Sequence, residues 1–124
     1  MALDHLKETQ RGGITVGFLY ESNKKRLKLR VMNSEAGFEK EIRDKNIHRP
    51  GLALAGYVEL FTYDRVQVFG NTEIRYLQHL TLAERERAFE TIFRFDIPCI
   101  VITNNNTIDD ELIRVATKKG VTIF

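Results

Sequence analysis

Apolar positions change their spacing twice in the first third of the chain. Val16, Leu19 and Tyr20 recur at helical intervals, and Thr15 stands where an N-cap hydroxyl belongs, so a helix is predicted from Val16 to about Arg26. From Leu27 the period drops to two. Leu27, Leu29 and Val31 alternate with Lys28, Arg30 and Met32, the pattern of a half-buried strand. Asn33 to Gly37 reads as a turn and Phe38 to Arg43 as a returning strand. A hairpin follows, with Lys28 and Arg30 across from Glu39 and Glu41. Pro50-Gly51 then opens a short Ala/Leu helix.

Beyond Arg65 the signals become regular. Val66 to Phe69 is a strand closed by Gly70, and Asn71 or Thr72 caps a helix with Ile74, Leu77 and Leu80 inward. Thr81 and Glu84 form a capping box for the next helix, whose inner face is Leu82, Phe89, Ile92 and Phe93. Pro98 to Thr103 is almost entirely apolar, as a strand buried on both faces would be. Thr107 with Asp110 starts a further helix carrying Leu112, Ile113 and Ala116. Lys118 and Lys119 suit its last turn, Gly120 ends it, and Val121 to Phe124 is a final strand. Alternation of strand and helix favours right-handed crossovers and parallel pairing. The expected fold class is α/β: a small mixed sheet with an N-terminal helix and hairpin, followed by parallel β-α-β-α-β units.

A length of 124 residues supports one core, and 43% hydrophobic against 29% charged residues suits a globular chain. With 19 basic and 17 acidic side chains the formal charge is +2, too small to draw nucleic acid or a membrane by net field. Apolar runs such as Ile97 to Thr103 are far shorter than the roughly 18 residues of a membrane span. Residues 1–13 lack the apolar run of a secretory leader. One cysteine, Cys99, forbids an intramolecular disulfide, and its apolar setting suits a small buried hydrophobe in a reducing cytoplasm. The apolar stop at Val121 to Phe124 gives the expectation of a piece cut from a longer protein.

Several motifs invite chemistry. Gly51-Leu-Ala-Leu-Ala-Gly56 has the glycine spacing of a phosphate-binding loop, yet Tyr57 and Val58 follow it, and none of the eight glycines precedes lysine. A tight turn with small-residue packing is the preferred reading. The basic run from Lys24 to Arg30 lacks interleaved aromatic residues, so a solvated face is favoured over nucleic-acid contact. His5, His48 and His79 have no metal-ligand spacing; His48 beside Arg49-Pro50 is either turn scaffolding or an anion contact. Ser22 and Ser34 lie in no nucleophile motif. Gly70-Asn71-Thr72 and Thr103-Asn104-Asn105-Asn106-Thr107 both follow strands, so in a parallel sheet they meet at the carboxyl edge, where ligands gather. Helix capping is the simpler reading of the same residues, and Glu73, Asp109 and Asp110 would oppose an anion there. A receiver domain is disfavoured because the central strand ends in Thr103 rather than an acidic phosphoacceptor.

The stretch Asn46 to Leu80 resembles the N-terminal domain of bacterial HPr kinase/phosphorylase. The resemblance centres on Arg49-Pro50-Gly51-Leu-Ala-Leu-Ala-Gly56-Tyr57, on Asp64 to Gly70 with Thr72-Glu73, and on Ile97 to Thr103. It implies an N-terminal extension at residues 1–14 and a domain at 15–124. It further implies an α/β fold similar to the first domain of Mur-type ligases. The parent would use ATP or pyrophosphate with magnesium to phosphorylate a seryl residue of HPr and to remove that phosphate by phosphorolysis. Carbon catabolite repression and the sugar phosphotransferase system are its implied setting, and a hexamer built by the kinase domains its implied assembly. The Walker A loop and catalytic residues belong to a second domain, so no catalytic, cofactor-binding or metal-binding residue carries over to this chain. Arg49, Tyr57, Arg65, Asn71, Thr72, Thr103 and Asn104 are the candidates for ligand or interface contact. The other readings kept are a sensor of phosphorylated metabolites and a protein-docking module using Arg49, Tyr57 and Arg65.

Overall fold

A computed structural model describes residues 13–124. Most of the predicted extension, and His5 with it, lies outside the described residues. Ile14 does not: with Thr15 it forms β1 (Ile14–Thr15), which pairs antiparallel with β2 (Glu41–Ile42). Thr15 caps α1 (Val16–Asn23) as its hydroxyl predicts, accepting from the Phe18 N–H at 3.1 Å. The helix stops at Asn23, short of the predicted Arg26.

No hairpin follows. Residues 24–34 run irregularly, with Lys28 in the left-handed region at φ 55°, and residues Glu35–Gly37 form a 3-10 turn capped by Ser34. Lys28 and Arg30 therefore do not face Glu39 and Glu41; Glu41 pairs with Arg43 at 2.8 Å instead. The alternation of residues 27–32 marks burial without a ladder. Leu29 and Val31 pack on a core of Val16, Phe38, Ile42, Val66, Cys99 and Phe124, while Lys28 and Arg30 face water.

The main sheet contains β3 (Ile47–His48), β4 (Val66–Phe69), β5 (Cys99–Ile102) and β6 (Thr122–Ile123), all parallel and adjacent in chain order. A strand order that steps steadily one way, joined by right-handed crossovers, places every connecting helix on one face. Helices α2 (Gly51–Leu54), α3 (Asn71–Gln78), α4 (Leu82–Ile92) and α5 (Asp110–Lys118) do share that face. Leu54, Leu77, Phe89, Ile92, Leu112 and Ala116 join Phe69, Ile100 and Ile123 of the strands in one core. Phe69–Phe89 and Phe89–Phe93 meet edge to face at 5.7 and 5.6 Å, the arrangement ring quadrupoles favour. The opposite face is covered by α1 and the 3-10 turn, with Tyr20 stacked on Phe124 at 5.4 Å.

The edge at β6 is closed by the irregular segment. Met32 donates its N–H to the Ile123 carbonyl at 2.7 Å, and the Asn33 amide both donates to the Val121 carbonyl (2.8 Å) and accepts from the Ile123 N–H (2.9 Å). One side chain thus fills the role of a strand partner and protects the sheet edge.

Helix starts shift from their predicted places. Glycine 70, not Asn71 or Thr72, caps α3, and α5 begins at Asp110 with Asp109 as its cap residue, beyond the predicted Thr107. Leu82 is exposed rather than inward. Thr81 and Glu84 do close a reciprocal capping box on α4, and Gly120 turns left-handed at φ 71° to end α5.

Candidate functional site at the carboxyl edge of the sheet

The chain leaves β3, β4 and β5 at the same edge, where Arg49, Gly70 and Thr103 follow in turn. Glu73 organises the first two. Its carboxylate, 4% exposed, accepts from the Gly70 N–H at 2.7 Å and from Arg49 Nε at 2.9 Å, with Arg49 Nη2 2.8 Å away. All three converge on Oε1. The guanidinium lies over Gly70 so closely that a Cβ there would sit 2.6 Å from Nη2. A side chain at that position would have to push the half-exposed Arg49 guanidinium aside. Glu73 thus neutralises Arg49 and satisfies the α3 N-terminus, so this helix start is filled by the protein's own carboxylate.

The third loop is bound to the second. Asn106 donates from Nδ2 to Asn71 Oδ1 at 2.9 Å and to the Thr103 carbonyl at 3.0 Å. Thr103 donates its N–H to the Phe69 carbonyl at 3.1 Å. The predicted meeting of these loops therefore occurs, carried by Asn71, Thr103 and Asn106. Asn104 and Asn105 occupy the left-handed region at φ 58° and 56° and are exposed. After their turn residues 106–109 run without helical structure, so α5 starts at Asp110 rather than at Thr107. Asp109 turns its carboxylate to Arg85 Nε at 2.6 Å, bolting α5 to α4 instead of capping.

Two candidates lie elsewhere. Arg65 precedes β4 at the opposite, amino edge and pairs with Asp44 at 3.0 Å, while Gln67 donates to the Arg65 carbonyl at 2.8 Å. Hydrogen bonds from the Asn46 N–H and Arg65 hold the Asp44 carboxyl below its usual pKa. Tyr57 is 47% exposed in the loop after α2, and Thr72 lies exposed on the first turn of α3. His48 is half-buried, 5.5 Å from the Phe61 ring, and burial followed by the Arg65 charge lowers its pKa. Its ring packs at the end of β3. Burial pushes the Cys99 thiol up to about 12, which fits a packing role.

The Gly51–Gly56 segment does not fit a nucleotide with magnesium. It folds as α2 and then turns at Gly56 with φ 100°, and Tyr57 supplies neither the ammonium nor the small hydroxyl such a loop needs. Among the described residues no cluster of three or more His, Cys, Asp or Glu side chains is placed to hold a metal ion, and no helix is long and apolar enough to cross a membrane.

Sequence reasoning missed the Arg49–Glu73–Gly70 clamp and the return of the basic segment to this edge. A groove of about 580 Å³ brings Lys28 and Arg30 beside Asn104, Asn105 and Asn106.

Comparison with known proteins bears on the whole domain. The family model described as the HPr serine kinase N terminus matches residues 14–124. The HPr kinase/phosphorylase of Chloroherpeton thalassium is 47% identical over 120 residues, covering 95% of this chain and 35% of that protein. Those of Prosthecochloris aestuarii and Chlorobium phaeovibrioides are 45% and 42% identical over 126 residues, covering all of this chain and 37% and 38% of theirs. The chain spans little more than a third of the length of these curated relatives.

Proposed function

The chain belongs to the HPr serine kinase N-terminal family, and on that premise we propose that it acts as the non-catalytic leading domain of a cytoplasmic HPr kinase/phosphorylase. The observation that carries this reading is the continuous match from residue 14 to residue 124, which takes in both halves of the fold. Phosphoryl transfer with ATP or pyrophosphate and magnesium is then the work of the remaining length found in the relatives. So are recognition of HPr and assembly into a homo-oligomer. The domain contributes regulation or structural support in the control of sugar uptake and carbon catabolite repression.

The chemistry of the carboxyl edge supports this division. Its arginine is tied to Glu73, its asparagines face solvent or one another, and its glycine-spaced segment is helical. Those groups suit holding a shape or a ligand; none is arranged as a nucleophile with a base. The test incubates the 124-residue chain with HPr, ATP and magnesium and reads phosphoserine on HPr, with the full-length Chloroherpeton thalassium protein as the positive control. No phosphoserine is expected from the chain alone, and turnover approaching the control would overturn the proposal.

A further inference from the structure

Two stretches of the described surface set exposed apolar side chains among uncommitted charges, and the charges are opposite in sign. The first is centred on Leu27. Lys28 adopts a left-handed backbone at φ 55°, and Leu27 before it stands 55% exposed while Leu29 after it packs on the core. Such a backbone strains a lysine, and strain of this kind collects at surfaces put to use. Lys25, Lys28 and Arg30 are exposed on either side of Leu27, and Lys45 lines a groove with it. No ion pair or hydrogen bond engages these four side chains within the described residues. Glu21, the acid nearest in the chain, is held by Lys24 at 2.8 Å.

The second stretch follows α2. Tyr57 donates its N–H to the Leu52 carbonyl at 2.9 Å and Phe61 to the Val58 carbonyl at 3.1 Å, which folds the chain back on itself. Leu52, Tyr57 and Leu60 are left 64%, 47% and 69% exposed. Glu59 and Asp64 are the only charges from Leu52 to Asp64, both exposed and neither engaged within the described residues. Lys40 and Arg43 share a groove with Asp64, but each is already held, by Asp96 and Glu41. Leu29 belongs to the core on the α1 side of the sheet, and Leu54 and Phe61 to the core on the other side. The sheet therefore separates the two surfaces within one copy.

We infer that they bind each other between copies of this chain, the Leu27 surface of one copy seating on the Leu60 surface of the next. Uncommitted charges of opposite sign around apolar centres give the complementarity. Because two different patches meet, the contact is head-to-tail. Each exposed side chain offers on the order of 100 Å², so the area falls short of the roughly 800 Å² per partner of a standard interface. The contact is weak, with a Kd on the order of 100 µM. It is separate from the assembly assigned above to the remaining length of the relatives, and it holds whether or not that reading does.

Sedimentation equilibrium of the 124-residue chain from about 10 µM to about 1 mM reads the contact directly. Average mass is expected to rise with concentration in about 20 mM salt, and association to weaken about tenfold in about 500 mM salt. Charge reversal is the sharper comparison. Lys25→Glu with Lys28→Glu sets acid against acid, and Glu59→Lys with Asp64→Lys sets base against base. Each variant alone is expected to be monomeric, with the parent's melting temperature because these side chains are exposed. Mixed one to one, the two are expected to associate again, since each then carries what the other lacks. Leu60→Ser is expected to lose the association with no change of charge. A chain monomeric at about 1 mM, an association that the variants leave intact, or a mixture that stays monomeric would each overturn the inference. An association kept by both charge variants and lost in Ile47→Lys would place the contact at the edge strand β3 and overturn it as well.

Discussion

Replacing Glu73 by alanine tests the clamp at the carboxyl edge. The carboxylate is 4% exposed and receives the Gly70 N–H at 2.7 Å and the Arg49 guanidinium at 2.8 to 2.9 Å. Its removal strands the buried Gly70 N–H, a loss of about 1–3 kcal/mol. The ion pair adds less than a buried one would, because Arg49 is 50% exposed and screened by water; about 1 kcal/mol is appropriate. Glu73→Ala is therefore expected to cost about 3 kcal/mol, or roughly 8–15 °C in melting temperature for a domain of this size. Glu73→Gln keeps an acceptor for Gly70 and should cost about 1 kcal/mol. Arg49→Ala should cost about as much, and the double variant Arg49→Ala/Glu73→Ala should fall short of additivity by about 1 kcal/mol. Urea unfolding monitored by far-ultraviolet circular dichroism measures all four. A Glu73→Ala variant within about 0.5 kcal/mol of the parent, or strict additivity in the cycle, would refute the clamp.

Other positions give independent checks. Gly37→Ala should destabilise by about 2 kcal/mol or more, because its Cβ would lie 2.7 Å from the Gly120 carbonyl oxygen and 2.9 Å from the Thr122 N–H nitrogen, neither of which moves freely; an unchanged unfolding midpoint would contradict that packing. Cys99 should resist a thiol reagent at mildly alkaline pH in the native chain and react once unfolded. Folding raises its pKa from 9.0 to about 12, so this group's stabilisation is complete below pH 9 and is lost as pH rises from there toward 12; Cys99→Ala should remove that slope. For His48 the sign reverses. Its pKa falls on folding from 6.5 through burial and then the Arg65 charge, so its contribution is present above pH 6.5 and declines as pH drops below it. Stability measured between pH 7 and 5 should show a shallower acid slope in His48→Gln, and an identical slope would count against the burial of that ring.

The second half of the fold could be read because its signals are local. Thr81 and Glu84 lie within one turn of each other, Gly120 meets a single backbone requirement, and the apolar run at Cys99 to Ile102 reflects a strand with neighbours on both sides. The first half depends on distant partners. β1 and β2 pair across more than twenty residues through two positions each, and no short-range pattern encodes that. Residues 27–32 alternate because one side faces the core of Val16 and Phe124, and alternation reports burial rather than hydrogen bonding. Asn33 serves as a strand partner through its side chain, which reads in sequence as an ordinary turn residue.

The site divides along the same line. That Asn71 and Thr103 would meet followed from parallel topology, and Asn106 makes the contact. Glu73 fills the α3 start as a carboxylate that opposes an anion there, but its engagement of Arg49, a partner 24 residues earlier, has no local signal. Arg65 and Arg49 flank β4 and β3 from opposite ends, which a sequence shows only once strand direction is fixed. The gathering of Lys28 and Arg30 at the Asn104 loop depended on the hairpin being absent.

Domain exchange tests the central claim most directly. The matching N-terminal third of the Chloroherpeton thalassium HPr kinase/phosphorylase is replaced by this chain, and the chimaera is compared with the intact enzyme and with a version lacking that third. Kinase and phosphorolysis rates on HPr, oligomeric state and response to effectors are read together. The expected result is a chimaera that assembles and turns over within about threefold of the intact enzyme, while differing from the truncated version in assembly or regulation. A chimaera indistinguishable from the truncated enzyme, or one that fails to assemble although both parts fold, would contradict the assignment of this chain as the leading domain of such a kinase.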